Sequence, residues 1–248
     1  MPKPSKPTRK KLIVYYPLKV ELKLGALFSG GKDSTFAIYQ EKLNGHEVVC
    51  LITIFPRSDE SHLLHYPNIS ATALQAKAMG ISQIVASTDS DESQTEIYKL
   101  QEMLEKAKAK FGIEGIVHGG IYSDYQRKIF DTVCKKLNLK IISPLWHINQ
   151  SEYLHQLIES KFRFIVTSVS AEGLDDSWLG KEITLQDIKI LNQLAAKYGF
   201  NVSFEGGEAE TFVMGCPIFS GTLKIIKSKK TWDGYRGRFE ITEAVLEH

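Results

Sequence analysis

Cysteine is scarce in this 248-residue chain, and the few cysteines show no pairing pattern. Cys50, Cys134 and Cys216 form neither a C-x-x-C pair nor a zinc-binding spacing. An odd and sparse cysteine count suits a reducing compartment, so we expect a cytoplasmic protein. Cys50 and Cys134 lie in apolar stretches and are expected to fill the core.

Long apolar runs and a strong net charge are also missing. No stretch approaches the length of a membrane span, so we expect no membrane partner. The formal net charge is +2 and the pI is about 8.3, which is too weakly basic to indicate nucleic-acid binding by itself. These absences favour an ordinary globular protein of one large or two small domains.

The two ends of the chain differ from the rest. The first eleven residues hold five Lys or Arg and three Pro, without the apolar segment of a signal peptide. We expect residues 1–20 to be a flexible basic lead-in, with a nucleic-acid-binding arm as the alternative. Residues 246–248 resemble the start of a vector-derived histidine tag and are left out of functional reasoning.

A strand, a glycine-rich turn and a helix follow one another near residue 30. The apolar residues 24–28 predict a buried parallel strand, and apolar residues at helical spacing predict a helix that begins near Asp33 or Ser34. Glycine lets the backbone close on a ligand, and the first N–H groups of a helix attract an anion. The sequence therefore predicts a phosphate site. Its candidate residues are Ser29, Gly30, Gly31, Lys32, Asp33 and Ser34.

This loop is shorter than the Walker A pattern G-x-x-x-x-G-K-[ST], and it carries Asp33 directly after Lys32. A carboxylate beside a polyphosphate requires a cation between them, so we expect Mg²⁺ to bridge Asp33 and the phosphate oxygens. The alternative is an ordinary strand–helix turn with a helix-capping serine.

Strands and helices alternate through the first half of the chain, which predicts an α/β fold with an open parallel sheet of five strands. Gly119 and Gly120 break the fourth strand, so they lie at a carboxyl end of the sheet, as the phosphate loop does. Beyond Pro144 the pattern is mixed. We therefore divide the chain into a first domain, residues 21–140, which carries the phosphate loop, and a smaller C-terminal α+β domain, residues 141–245.

The densest polar cluster is the segment 204–213, with three carboxylates and two adjacent glycines. A solvated acidic turn before a strand is the ordinary explanation. The glycine pair and the flanking Phe204 and Phe212 favour a shaped site, since carboxylates beside aromatic rings bind cations. The candidate residues are Glu205, Gly206, Gly207, Glu208, Glu210, Thr211 and Phe212.

Two smaller clusters follow the fourth and fifth strands. Asp124, Gln126 and Arg127 come after the glycine pair, and Trp146 follows Pro144. A helix cap for Asp124, a surface position for Arg127 and a core position for Trp146 remain as alternatives. His62 and His65 have no partners at metal-ligand spacing, so no metal is assigned to them.

The segment 29–34 resembles the pyrophosphate loop of the N-type ATP pyrophosphatases, which cleave ATP to AMP and pyrophosphate. Together with segments 122–127, 144–146 and 205–212, it makes the chain similar to the archaeal and eukaryotic diphthine–ammonia ligases, also called diphthamide synthetases. The resemblance covers Leu24 to Pro217. It implies a Rossmann-like sheet of the adenine-nucleotide alpha-hydrolase type.

The resemblance also implies an ATP-dependent ligase. Its first domain would bind ATP, and its C-terminal domain would recognise the partner, diphthine-modified translation elongation factor two. The diphthine carboxylate would be adenylated, and ammonia would displace AMP, since no glutaminase nucleophile pattern is evident. Lys32 and Mg²⁺ on Asp33 would stabilise the departing pyrophosphate, and main-chain atoms near Thr53 and Phe55 would meet adenine. From the residue types, we expect one of the three glutamates, with Phe212 or Trp146, to bind the trimethylammonium group of diphthine.

Two other functions remain open. A tRNA-modifying enzyme with the same loop is supported by the basic lead-in, but the chain lacks the C-x-x-C pair of sulfur chemistry. A nucleotide-binding sensor without turnover is the second alternative, and Asp33 beside Lys32 argues against it. The oligomeric state is also open, with a homodimer among the choices.

Overall fold

The first half of the chain forms a parallel sheet of five strands in the order β3-β2-β1-β4-β5. The computed structural model describes residues 21–57, 68–90 and 92–248. The strands are β1 (Lys23–Leu27), β2 (Glu47–Phe55), β3 (Ser82–Ser87), β4 (Gly115–Val117) and β5 (Lys140–Ile142). The helices between them are α1 (Lys32–Leu43), α2 (Ile69–Met79), α3 (Ser93–Phe111) and α4 (Asp124–Lys136). The predicted open parallel sheet is confirmed.

The strand order places the functional loops side by side. From β1 the chain moves outward through β2 and β3, and it then returns to add β4 and β5 on the other side of β1. The direction of winding therefore reverses between β1 and β4, which is the point where open α/β sheets bind ligands. The loop after β1 is the predicted phosphate loop, and the loop after β4 holds Gly119 and Gly120.

The second half of the chain forms an antiparallel sheet in the order β7-β6-β9-β8. Its elements are α5 (Gln150–Glu159), β6 (Arg163–Val169), a short 3₁₀ helix (Asp176–Trp178), α6 (Leu185–Tyr198), β7 (Ala209–Gly215), β8 (Thr222–Trp232) and β9 (Gly237–Glu247). One face packs Phe164, Val166 and Val213 into a core shared with α5 and α6. The other face packs Phe212 and Met214 against Ala71 and Ala78 of α2. This α+β unit is thus bound to the parallel-sheet domain through a hydrophobic core.

Some elements differ from the sequence-based expectation. The acidic segment turns into strand β7 at Ala209, because residues 209–215 find a pairing partner in β6. Strand β8 reaches Trp232, since β9 pairs with it along its whole length. Residues 246 and 247 continue β9, where Leu246 packs on the core and Glu247 pairs with Lys224.

The cysteines lie where the sequence placed them. Cys50 and Cys134 are buried in the apolar core between the parallel sheet and its helices α3 and α4. Burial raises the pKa of both thiols to about 12. Neither thiol is therefore a nucleophile at neutral pH.

Predictions for residues 1–20 and for His62 and His65 concern positions outside the described residues. Within the described ranges, no helix is both long enough and apolar enough to cross a membrane.

Candidate functional site

The loop after β1 takes a left-handed conformation at Gly30, which favours glycine at that position. Gly30 has a φ of +81°, and a Cβ there would collide with Oε1 of Gln75. Helix α1 then begins at Lys32, so its first N–H groups surround the loop. The hydroxyl oxygens of Ser29 and Ser34 lie 3.2 Å apart on the same side. The predicted phosphate site therefore has the backbone of an anion cradle.

The loop is fastened to the C-terminal sheet. The N–H of Val213 in β7 donates to the carbonyl of Gly30 at 3.0 Å. The Gln75 amide donates to the carbonyls of both Gly30 and Val213, at 2.9 and 2.8 Å. The N–H of Lys32 donates to Oγ1 of Thr211 at 3.1 Å. Residues of the C-terminal sheet thus help to hold the predicted phosphate loop in its conformation.

Lys32 points into the protein. Its side chain is only 2% exposed, and its Nζ donates to Oδ2 of Asp33 at 2.9 Å and to the carbonyl of Ser203 at 2.6 Å. The same ammonium lies 5.5 Å from the centre of the Phe204 ring. The Asp33 carboxylate, the Ser203 carbonyl and the Phe204 ring thus hold the Lys32 ammonium in one position beside the loop.

Asp33 is held from two sides. Lys32 donates to one carboxylate oxygen, and the hydroxyl of Tyr153 donates to the other at 2.7 Å. Tyr153 is completely buried, and burial together with the Asp33 carboxylate raises the pKa of the phenol well above its ordinary value. Asp33 itself is 29% exposed, so its carboxylate is oriented yet still open to the solvent side.

Gly119 touches the first turn of α1. A Cβ at this position would lie 2.5 Å from the carbonyl carbon of Asp33 and 2.6 Å from the nitrogen of Ser34. The neighbouring His118 fixes the loop, since its Nδ1 accepts the Gly120 N–H at 3.1 Å and its Nε2 lies 2.6 Å from Oγ of Ser143. Burial first, and then Arg127, lower the pKa of His118 to about 4, so the imidazole is neutral at physiological pH.

The carboxylates of the segment 204–213 have different roles. Oε1 of Glu205 accepts the N–H groups of Ile121 and Tyr122, both at 3.0 Å, and so links the acidic segment to the loop after β4. The Glu208 carboxylate accepts the N–H groups of Asn201 and Gly206. Backbone N–H groups therefore hold the carboxylates of Glu205 and Glu208 in place.

A cavity of about 1240 Å³ lies between the carboxyl ends of the parallel strands and the C-terminal sheet. It brings most of the predicted residues together, because the phosphate loop, the glycine pair and the acidic segment all reach its wall. The predicted residues that line it are Ser29, Gly31, Lys32, Asp33, Ser34, Gly119, Gly120, Gln126, Glu205, Gly206, Gly207, Glu210, Thr211 and Phe212. Ile52 and Ile54 of strand β2 also line it, whereas Thr53 and Phe55 are not among the lining residues, so the predicted adenine contact near them stays a prediction.

Other predicted residues lie elsewhere. Asp124 is the first residue of α4, and Ser123 provides the cap by accepting the N–H of Gln126. The Arg127 guanidinium stacks 4.6 Å from the centre of the Trp146 ring, outside the cavity lining of the described chain. Phe212 does border the cavity, but it is only 2% exposed and packs mainly in the core. The predicted aromatic contact with a trimethylammonium group remains a prediction.

Tyr153, Gln75, His118 and the Ser203 carbonyl were missed by sequence reasoning. Tyr153 and Gln75 look like ordinary residues of amphipathic helices, and a backbone carbonyl gives no sequence signal at all. His118 stands directly before the glycine pair, so its position at a strand end was a usable signal.

The acidic groups of the site suit a magnesium ion that is shared with substrate phosphates better than a metal ion that is coordinated only by protein side chains. Among residues 21–57, 68–90 and 92–248, no three His, Cys, Asp or Glu side chains converge as metal ligands. Magnesium is commonly held by one or two carboxylates together with substrate phosphates. Asp33, oriented at the phosphate loop and partly exposed, matches that pattern.

Comparison with known proteins agrees with this architecture. The diphthamide synthase N-terminal domain matches residues 22–141, and the diphthamide synthase C-terminal domain matches residues 149–246. The chain is 35% identical over 230 residues to a diphthine–ammonia ligase of Mus musculus and 36% identical over 226 residues to that of Bos taurus, with 84% of each chain covered in both pairs. The Saccharomyces cerevisiae diphthine–ammonia ligase is 29% identical over an alignment of 250 positions that covers 86% of this chain and 36% of the yeast protein. The chain therefore belongs to the diphthamide synthase family.

Proposed function

We propose that this protein is an ATP-dependent diphthine–ammonia ligase that acts on diphthine-modified translation elongation factor two. The observation that carries the proposal is the shared cavity, in which the phosphate loop faces the acidic segment of the C-terminal domain. Its volume of about 1240 Å³ exceeds the 300–1,000 Å³ of typical single-ligand pockets. A nucleotide and the side chain of an acceptor can therefore occupy it together.

The first step joins the acceptor carboxylate to AMP. A carboxylate oxygen attacks the α-phosphorus of ATP, an oxygen–phosphorus bond forms, and the bond from the α-phosphorus to the bridging oxygen breaks as pyrophosphate leaves. The α1 N–H groups and the hydroxyls of Ser29 and Ser34 hold the phosphates, and the fixed ammonium of Lys32 offsets the charge that develops on pyrophosphate.

Asp33 is the residue that would hold Mg²⁺, with the phosphate oxygens of ATP as the other ligands. When bound, the ion supplies charge stabilisation for the leaving pyrophosphate. Tyr153 and Lys32 keep the carboxylate in place, so Asp33 needs little reorganisation to receive the ion.

The second step forms the amide. Ammonia attacks the activated acyl carbon, the carbon–oxygen bond to AMP breaks, and a proton from nitrogen passes to solvent. Free ammonia is the proposed nitrogen source, and the cytoplasm, which holds ATP, ammonia and the elongation factor, is the proposed location.

The test is nucleotide product analysis with ATP, Mg²⁺ and ammonium, with and without the diphthine-bearing factor. We expect AMP and pyrophosphate only when the factor is present, together with a mass change that matches conversion of a carboxylate to an amide. The variant Asp33→Asn should lose this activity, while Asp176→Asn, which changes an exposed aspartate outside the cavity lining, should retain it. AMP formation with unmodified tRNA and none with the factor would instead assign the chain to tRNA modification.

A further inference from the structure

The turn between helix α6 and strand β7 reaches two loops of the parallel sheet at once. The carbonyl of Ser203 accepts a hydrogen bond from Nζ of Lys32 at 2.6 Å, on the side of the phosphate loop. Two residues later, Oε1 of Glu205 accepts the N–H groups of Ile121 and Tyr122 in the loop after β4, both at 3.0 Å. The turn therefore joins the phosphate loop to the neighbouring strand-end loop.

The backbone of this turn is held in a strained shape. Phe204 has a φ of +65°, in the left-handed region that few residues other than glycine adopt, and such strain concentrates at functional sites. Its ring is buried in the C-terminal core, which keeps the backbone in this conformation. The Glu208 carboxylate closes the turn by accepting the N–H groups of Asn201 and Gly206, at 2.8 and 2.7 Å. The turn is therefore a fixed support for the groups that it carries.

The loop that Glu205 holds lies against the nucleotide cradle. A Cβ at Gly119 would come within 2.5 to 2.7 Å of backbone atoms of Asp33 and Ser34, so this loop packs directly on the first turn of α1. Gly119 is two residues before Ile121, so a shift of one end of this short loop moves the other. The Glu205 carboxylate thus acts, through the loop, on the helix N-terminus where phosphate is predicted to bind.

We infer that Glu205 is a positioning residue for the adenylation step, which holds the loop after β4 against the phosphate cradle. The inference rests on the proposed function, because it gives Glu205 a task within that reaction. Both N–H groups donate to the same oxygen, Oε1, so the task needs a well-placed acceptor and no negative charge. A glutamine side chain offers a carbonyl oxygen with two lone pairs for the same bonds. Recognition of the trimethylammonium group of diphthine by Glu205, by contrast, would depend on the charge.

The first measurement uses the protein alone. Hydrogen exchange of the Ile121 amide and the calorimetric Kd of ATP with Mg²⁺ are compared among the wild type, Glu205→Gln and Glu205→Ala. We expect Glu205→Ala to speed the exchange of this amide and to raise Kd of ATP on the order of tenfold, because the loop loses its acceptor. Glu205→Gln should keep both values within about threefold of the wild type. Glu105→Ala removes an exposed carboxylate of α3, outside the cavity lining, and should change neither value.

The second measurement separates positioning from acceptor binding. In the amidation assay, Glu205→Ala should lower kcat on the order of a hundredfold, because the nucleotide cradle is displaced. Kd of the diphthine-bearing factor, measured by calorimetry without nucleotide, should stay at the wild-type value in both variants. Glu205→Gln should recover most of kcat, since it restores the acceptor without the charge.

Different failures have different meanings. If Kd of the factor rose equally in Glu205→Gln and Glu205→Ala, the carboxylate would bind the acceptor by its charge, and the inference would be overturned. Wild-type ATP affinity and kcat in Glu205→Ala would overturn it as well, because the loop would then need no acceptor at this position. A wild-type protein that fails to amidate the factor would reject the proposed function, whereas amide exchange and ATP affinity would still decide whether Glu205 holds the loop.

Discussion

Gly119 offers the sharpest test of how the two strand-end loops form one site. In Gly119→Ala, the new Cβ would meet three backbone atoms of Asp33 and Ser34 at 2.5 to 2.7 Å. Ordinary contacts between carbon atoms lie at about 3.5 to 4.0 Å, so the loop after β4 or the first turn of α1 must move by about 1 Å. No flexible side chain can absorb this movement, because all three contacts are backbone.

The expected cost has two parts. Overpacking of this kind lowers the free energy of unfolding by about 1 to 3 kcal/mol. A displacement of about 1 Å in a positioned catalytic group costs on the order of a hundredfold in rate, so kcat should fall on that scale while the fold is retained.

The assay is AMP release at saturating ATP, combined with denaturant unfolding of the same samples. Gly215→Ala is the matched control, since a Cβ there meets only Thr222, at the ordinary distances of 3.5 and 3.7 Å. If Gly119→Ala kept both the activity and the stability of the wild type, the close packing of this loop on α1 would be refuted.

Two further changes probe the polar supports of the site. The pKa of His118 is lowered to about 4 in the folded protein, against about 6.5 in an unfolded chain, so only the unfolded chain gains a proton between these values. The free energy of unfolding should therefore be highest above about pH 6.5 and fall by up to about 3 kcal/mol as the pH drops to 4. Denaturant titrations across this range should show this pH dependence in the wild type and its loss in His118→Asn. Tyr153→Phe removes one hydrogen bond to the Asp33 carboxylate and should lower the free energy of unfolding by about 1 to 3 kcal/mol, measured in urea. The same variant should need more Mg²⁺ for half-maximal activity, and an unchanged Mg²⁺ titration would contradict a positioning role for Tyr153.

The local parts of the site could be predicted from the sequence because their signals are local. Glycines and hydroxyls between an apolar strand and a helix specify the phosphate loop within a few residues. The alternation of strands and helices likewise specified the parallel sheet, and the glycine pair at 119–120 marked the second strand end.

The residues that hold the site from distant parts of the chain could not be predicted in this way, because their contacts form only in the tertiary structure. Tyr153 and Asp33 are 120 residues apart in the chain, and Gln75 reaches Val213 across 138 residues. The start of strand β7 within the acidic segment could not be predicted for a related reason. Strand formation depends largely on the partner strand, here β6, and local composition does not reveal that partner.

The fastening of the phosphate loop to the C-terminal sheet has a consequence for biosynthesis. The bonds of Lys32 to Ser203 and Thr211 span 171 and 179 residues, so the ribosome must deliver most of the chain before the loop acquires its final shape. Contacts of such long range form late, because closing the intervening chain carries a large entropic cost. A nascent or truncated polypeptide that ends before residue 203 lacks these anchors, so the proposed ATP cleavage would begin only after the C-terminal sheet has also folded.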